Sequence, residues 1–125
     1  MEYRDITQII LDAAIEVHRR LGPGLLEKTY QRCLAHELSL RGLSVQTEVS
    51  LRIEYKGLVV SDAYRIDILV EDMVVIELKA VDQLINVHKA QVLTYLKTGD
   101  YKLGLLINFN QPRLIDGYVR IANGI

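Results

Sequence analysis

The stretch AYRIDILVEDMVVIELKA, residues 63–80, decides the fold of this chain. It contains two apolar runs, about Ala63–Val70 and Met73–Ala80, which are rich in β-branched residues and predict the two strands of a hairpin. An aspartate, Asp67, interrupts the first run, and Glu77 and Lys79 interrupt the second. Residues two apart on a strand leave the same face, roughly 7 Å apart along the backbone. Glu77 and Lys79 are therefore expected side by side.

The length of the hairpin loop decides whether Asp67 lies on the same face of the sheet as Glu77 and Lys79. A loop of Glu71-Asp72 alone would place Asp67 opposite Ile76, and the two carboxylates would face opposite sides of the sheet. A three-residue loop, residues 71–73, or a β-bulge would instead place Asp67 opposite Glu77. We therefore predict an odd-length loop or a bulge at this point.

Two carboxylates and a lysine on one face suit the hydrolysis of a phosphodiester. Asp67 and Glu77 offer the hard oxygen ligands that Mg²⁺ or Mn²⁺ prefers, and such a cation lowers the pKa of a bound water. Lys79 would orient that water or stabilise the charge of the transition state. A surface ion pair is the commoner explanation of an isolated E-x-K sequence. The upstream Asp67 and two further segments outweigh it here.

The first of these segments is Gly24–Tyr30. Glu27 falls in the first turn of a predicted helix, where the helix dipole stabilises a carboxylate and is by itself a sufficient reason for an acid. In the functional interpretation, Glu27 is a catalytic residue and a ligand to the metal or to its water. Tyr30 lies one turn later on the same side. It is either a packing residue with a tethered hydroxyl, which we prefer, or a substrate contact.

The second segment is a predicted helix over Asn86–Thr98. Gln91 and Tyr95 are four apart and share one face of it, where Gln91 would hold the substrate phosphate or the attacking water and Tyr95 would contact substrate. An exposed glutamine beside a core tyrosine is the alternative. His88 opens the same helix and either lines the substrate site or has a structural role.

The remaining sequence predicts the other elements by periodicity and turn residues. A helix with a capping box of Asp5 and Gln8 runs to Leu21, a second runs from about Leu26 to Leu38, and Lys56-Gly57 is a turn. The predicted strands outside the hairpin are about residues 45–55, 103–107 and 114–121. The order ααβββαββ predicts an α/β or α+β protein, with helices packed on a sheet, in one domain of residues 1–125.

Composition limits the class of protein. Half of the 125 residues are hydrophobic and the formal net charge is −1, which counts mildly against tight DNA affinity. A carboxylate site adds negative charge that only bound metal offsets, so the balance does not exclude a nuclease. Cys33 is the only cysteine, and no apolar run approaches the roughly 20 residues that span a bilayer. With no signal-peptide pattern at the start, a cytoplasmic location without a membrane partner is expected.

Taken together, these segments resemble the GxxExxY proteins, a group within the PD-(D/E)XK nuclease superfamily. The resemblance runs from about Ile9 to Asn108, and its order and spacing are more specific than any one segment. One departure is Ile66, which stands where the pattern has proline. The matching segments are residues 17–30, 64–67, 77–80, 88–91 and 103–108.

The resemblance implies a restriction-endonuclease-like core, in which a central mixed sheet is flanked by helices and the acidic centre lies on a β-hairpin. It implies that Asp67 and Glu77 bind the metal and that Lys79 is the catalytic lysine. Glu27 matches the acidic residue of the preceding helix, and Gln91 and Tyr95 match the Q-x-x-x-Y helix of some nuclease branches.

Three functions are compatible with the sequence. The first is a Mg²⁺- or Mn²⁺-dependent nuclease acting on DNA. The second is a nuclease-fold module that binds nucleic acid or a partner protein without cutting. The third is a hydrolase of another phosphoester, such as a nucleotide. A homodimer is a reasonable expectation for the first, because cutting both strands takes two centres.

Overall fold

The computed structural model describes residues 1–125 as three helices and a five-stranded sheet, with a short 3-10 helix before the last strand. The strands follow one another in space in the order β1-β2-β3-β4-β5. All neighbours are antiparallel except β3 and β4, which are parallel and joined through α3. The elements are α1 (Tyr3–Leu21), α2 (Glu27–Leu40), β1 (Val45–Tyr55), β2 (Leu58–Val70), β3 (Val74–Lys79), α3 (Asn86–Gly99), β4 (Leu103–Asn108), the 3-10 helix (Leu114–Gly117) and β5 (Tyr118–Ala122).

Helices cover both faces of the sheet. The apolar sides of α1 and α2 pack with one set of strand residues into the larger core cluster. The smaller cluster lies on the other face, where Val92, Tyr95 and Leu96 of α3 pack on the sheet. Because both faces are covered, β4 is buried along its whole length and β3 is buried up to Glu77 and Leu78. None of the helices combines the length and apolar character that crossing a bilayer requires.

The predicted order of elements is confirmed, while three boundaries differ. Strand β2 begins at Leu58 and not near Ala63, because the tight Lys56-Gly57 turn lets pairing start at Tyr55 and Leu58. The predicted last strand is a 3-10 helix over 114–117 followed by a shorter β5.

The first helix begins earlier than Asp5. Glu2 is its N-cap, and the Glu2 backbone N–H donates a hydrogen bond of 3.3 Å to the Asp5 carboxylate. Asp5 therefore belongs to a capping box, but as the residue three positions inside the helix and not as the cap itself.

Candidate metal centre

The hairpin between β2 and β3 has the loop that the site requires. Ile68 pairs with Ile76 and Val70 with Val74, which leaves the three residues 71–73 in the loop. Two of them adopt the left-handed backbone conformation, each with a φ of 54°. Continuing the register by one residue places Asp67 opposite Glu77. The predicted odd-length loop is thus confirmed, and with it the condition for bringing the carboxylates together.

The strands β2 and β3 separate at this position. Their ladder ends at Ile68 and Ile76, whereas β3 stays paired with β4 as far as Lys79 and Asn108. The backbone N–H of Leu78 consequently donates to the Asp67 carboxylate, at 2.9 Å, instead of to a carbonyl of β2. Asp67 therefore lies, half-buried, where the pairing of β2 with β3 has ended.

Glu77 is the most unusual side chain of the site. It is only 5% exposed, and its Oε1 atom has no hydrogen-bond partner. Burial and the neighbouring Asp67 raise the pKa of Glu77 to about 8, and burial likewise raises the pKa of Asp67. Because the charge of Asp67 contributes to the rise in the pKa of Glu77, the two carboxyl groups lie near each other. Burying such a pair is costly unless a proton or a cation compensates the charge.

The pair fits a hard divalent cation. Mg²⁺ keeps several waters and is usually held by one or two carboxylates, which matches the two groups present. No three His, Cys, Asp or Glu side chains lie close enough together to hold a metal. Glu27, which we predicted as a third ligand, is exposed at the start of α2 and does not belong to such a group. Its influence is electrostatic, because its charge adds to the rise in the pKa of Asp67 that burial causes.

Lys79 follows Glu77 on the same face of β3. Its side chain is half-buried, and it takes no part in any ion pair of the molecule. Its charge partly opposes the rise in the pKa of Glu77, so the two groups are near each other. An unpaired ammonium beside a buried carboxyl pair is free to contact an anionic ligand.

Helix α3 brings Gln91 and Tyr95 to this face, as predicted. The amide of Gln91 donates to the Tyr95 hydroxyl at 2.9 Å, and the Tyr95 ring lies 5.3 Å from that of Tyr64. Burial, followed by the charges of Glu77 and Asp67, raises the pKa of Tyr95 to about 12. The hydroxyl therefore stays protonated next to the carboxyl pair and can act as a hydrogen-bond donor.

Tyr30 and His88 both form hydrogen bonds with the backbone of their own region. The Tyr30 hydroxyl donates to the Gly22 carbonyl at 2.5 Å and accepts from the Leu25 backbone N–H at 3.1 Å. Its ring is fully buried and stacks on Phe109 at 4.5 Å. Our inclusion of Tyr30 among substrate contacts is therefore corrected to the preferred alternative, a packing residue.

His88 accepts the backbone N–H of Ile85 at its Nδ1 atom, at 3.1 Å. This bond satisfies a donor at the start of α3, and it gives His88 a capping role that is sufficient to explain the residue. A substrate role for its other ring nitrogen stays a prediction.

Comparison with known proteins identifies the superfamily of the chain. The family model of the PD-(D/E)XK nuclease superfamily matches residues 4–121. The chain belongs to the PD-(D/E)XK nuclease superfamily. Its fold is accordingly of the restriction-endonuclease-like kind that the sequence predicted.

One solved structure has a similar fold. The protein of the "Crystal structure of SSO0001" superposes with a TM-score of 0.52 at 19% sequence identity, over 93% of this chain. This chain spans 66% of the length of that one. No curated protein sequence matches the chain.

One residue at the PD-(D/E)XK centre escaped the sequence prediction. Glu48 lies on β1 next to Asp67, and its charge raises the pKa of Asp67. Its side chain forms an ion pair with Lys28 of α2. In the sequence, Glu48 is one of several polar residues that alternate with apolar ones along β1. Nothing local distinguishes it from a solvent-facing glutamate, so only the pairing of β1 with β2 reveals its position.

Proposed function

We propose that this chain is a divalent-metal-dependent nuclease that hydrolyses phosphodiester bonds, with DNA as its substrate. One observation carries the proposal. Asp67 and Glu77 converge where β2 and β3 separate, and the buried Oε1 atom of Glu77 has no partner within the protein. A buried carboxylate oxygen without a partner, near a second carboxylate, favours the binding of a cation, because a cation would compensate the buried negative charge.

Asp67 and Glu77 would hold the metal, Mg²⁺ or Mn²⁺. When bound, such a cation supplies a lowered pKa for water and compensation for the negative charge that builds up at the phosphorus. The protein contributes a largely buried surrounding in which these electrostatic effects are stronger than in water.

The neighbouring side chains have roles that follow from their contacts. Lys79 has no ion-pair partner, so its ammonium can donate to a phosphate oxygen or to the attacking water. Tyr95 accepts a hydrogen bond from Gln91, which leaves the Tyr95 proton free to be donated to substrate. Glu27 adds negative charge to the field of the site without being a ligand, and this charge favours cation binding.

A second function is favoured by one observation of a different kind. The formal net charge of −1 is unusual for a protein that binds nucleic acid through its own basic surface. A module that uses the nuclease fold to bind nucleic acid or a partner protein, without cutting, is consistent with this balance. The same experiment distinguishes the two functions.

The test is a cleavage assay on supercoiled plasmid, single-stranded DNA, RNA and mononucleotides, with Mg²⁺, with Mn²⁺ and with a chelator. Asp67→Ala and Lys79→Ala should each reduce the cleavage rate by about a hundredfold or more, because both remove groups that stabilise the transition state. Lys97→Ala is the matched control, since it removes an exposed lysine of α3 away from the centre.

The outcomes separate the candidates. Metal-dependent cleavage of a polymer that is lost in both variants and retained in the control supports the nuclease. Cleavage that survives both substitutions would mean that another site or a contaminant is responsible. Binding without cleavage in either metal would favour the non-cutting module, and turnover of mononucleotides alone would favour a different phosphoesterase.

A further inference from the structure

Three acidic residues occupy corresponding positions on β1, β2 and β3 when the register of the sheet is continued through the positions that do not pair. Thr47 pairs with Ile68 and Val49 with Ile66, so the position opposite Asp67 on β1 is that of Glu48. Asp67 in turn faces Glu77 in the continued register of β2 and β3. Neighbouring strands are about 4.8 Å apart, so this register places Glu48 one strand away from the buried pair.

The backbone at Glu48 departs from an ordinary strand. The regular pairs on each side of it are present, but Glu48 and Asp67 do not form one, and Glu48 has a φ of 53°. Four of the six non-glycine residues with positive φ lie in hairpin loops or at the end of a helix, where this conformation is common. Glu48, like Asp62, lies within a strand, where a residue held in this conformation is a reason to look for function.

Glu48 is paired with a cationic side chain. The ammonium of Lys28 forms an ion pair with the Glu48 carboxylate, and Lys28 is also attracted by the charge of Asp67. Lys28 is the second residue of α2, and the positive end of the helix dipole disfavours a cation there. The side chains of Lys28 and Glu48 are 62% and 33% exposed, so ions reach both from solvent.

We propose that Glu48 and Lys28 together set the divalent-cation affinity of the Asp67–Glu77 pair. Glu48 strengthens binding through its negative charge and not as a ligand, and Lys28 weakens binding through its positive charge. The inference rests on the metal site of the proposed function. The unpartnered Oε1 atom of Glu77, on a side chain that is only 5% exposed, is the independent sign that these acidic positions face a cation. The competing explanation is that the ion pair only docks α2 on β1.

The test measures binding of Mn²⁺ to the metal-free protein, from the electron paramagnetic resonance signal of free Mn²⁺. Relative to wild type, Glu48→Gln should weaken binding by about fivefold, and Lys28→Met should tighten it by about the same factor, since each removes one charge near the pair. Glu54→Gln and Lys97→Met are matched controls, because they remove the same charges from exposed positions on β1 and α3 and should leave the affinity unchanged.

The double variant separates the two explanations. If Glu48 contributes its own charge to the centre, Glu48→Gln weakens Mn²⁺ binding in the Lys28→Met background as well. If Glu48 only positions Lys28, its effect disappears in that background and the proposal for Glu48 is overturned. If the Lys28→Met variant binds Mn²⁺ no more tightly than the Lys97→Met variant, the proposal for Lys28 is overturned.

The proposed function is checked in the same experiment. Asp67→Asn should abolish Mn²⁺ binding. If it binds Mn²⁺ as wild type does, the metal site of the proposed function is wrong, whatever Glu48 does. If Asp67→Asn abolishes Mn²⁺ binding while Glu48→Gln and Glu54→Gln bind Mn²⁺ equally well, the metal site is supported and only the further inference is wrong. Thermal unfolding of each variant verifies that it is folded, and an exposed ion pair contributes little to that stability.

Discussion

At the scale of single residues, the buried carboxyl pair favours cation binding and destabilises the metal-free folded protein. Glu77 is held in an apolar strand and faces Asp67, so its ionised form is poorly solvated and repelled. The same features make the pair attractive to a divalent cation, which relieves both effects at once. The metal-free protein is therefore expected to store a pH-dependent instability at this position.

The stability of the metal-free protein should fall as the pH rises from about 5 to about 8. The unfolded chain releases the Glu77 proton near the ordinary value of 4.5, whereas the folded chain holds it up to a pKa of about 8. Between these values the folded state binds more protons, so the free energy of unfolding decreases with pH, by an amount on the order of a few kcal/mol. Urea unfolding in chelator at several pH values measures the slope.

Glu77→Gln is the variant that isolates this effect, because its side chain has a similar shape and does not ionise. It should show a flatter dependence on pH and should be more stable than wild type at pH 8. Glu54→Gln, at an exposed position, should keep the wild-type slope. An equal slope in wild type and Glu77→Gln would contradict the assignment of the pH dependence to this carboxyl group.

The placements that follow from the sequence are those that depend on neighbours close in the chain. Glu77 and Lys79 share a face because of strand alternation, and the parity of one loop adds Asp67. The position of Glu48 depends instead on the pairing of β1 with residues about twenty positions later and on one unusual φ angle. Neither feature can be read from the sequence around Glu48. The sequence leaves two roles for Tyr30, packing and substrate contact, because its ring partner, Phe109, is distant in the chain.

At the scale of secondary-structure elements, Asn108 fixes the passage from β3 to α3. Its side chain is fully buried at the end of β4. Its amide oxygen accepts the backbone N–H groups of Val81 and Asn110, at 3.1 and 3.2 Å, and its amide nitrogen donates to the Val81 carbonyl at 2.9 Å. One side chain thus replaces several backbone partners for a loop that leaves the sheet directly after Lys79.

Replacing Asn108 by alanine should destabilise the protein by about 2–4 kcal/mol, because it leaves buried backbone groups without partners. Mn²⁺ binding should weaken only modestly, since Asp67 and Glu77 precede the loop. Denaturant unfolding measures the first effect and a Mn²⁺ titration the second. Asn86→Ala, at an exposed position, is the control and should change stability little. A loss of stability no larger than that of the control would show that the loop does not depend on the Asn108 amide.

The limits of the element predictions also have physical causes. Periodicity located the helices and the central strands because each buries one continuous apolar side. It failed near Leu114, which is buried as a strand residue would be, because a single 3-10 turn precedes β5 there. Gly117 lies in that turn, and an added Cβ would come within 2.4 Å of the Asn108 carbonyl oxygen. This close approach is a tertiary constraint that an apolar pattern cannot express.

At the scale of the whole molecule, the balance of charges makes nucleic-acid binding depend on cation binding. The chain has 15 basic and 16 acidic residues, and several arginines are already paired, such as Arg19 and Arg20 with Glu16. Without a cation, the carboxylates around Asp67 repel a phosphate backbone at the point where it must approach most closely. With the cation bound, the same position becomes attractive.

Nucleic-acid binding should therefore depend on the divalent cation itself. In the Lys79→Ala background, which is expected not to cut, binding of a fluorescent DNA duplex should be about tenfold tighter in Mg²⁺ than in chelator at equal ionic strength, because about 1–2 kcal/mol of repulsion is removed. Fluorescence anisotropy measures the affinity. Adding Asp67→Asn should abolish the difference, since the cation then has no site. A Mg²⁺ effect of equal size in both variants would show that the cation acts on the DNA and not through the Asp67–Glu77 pair.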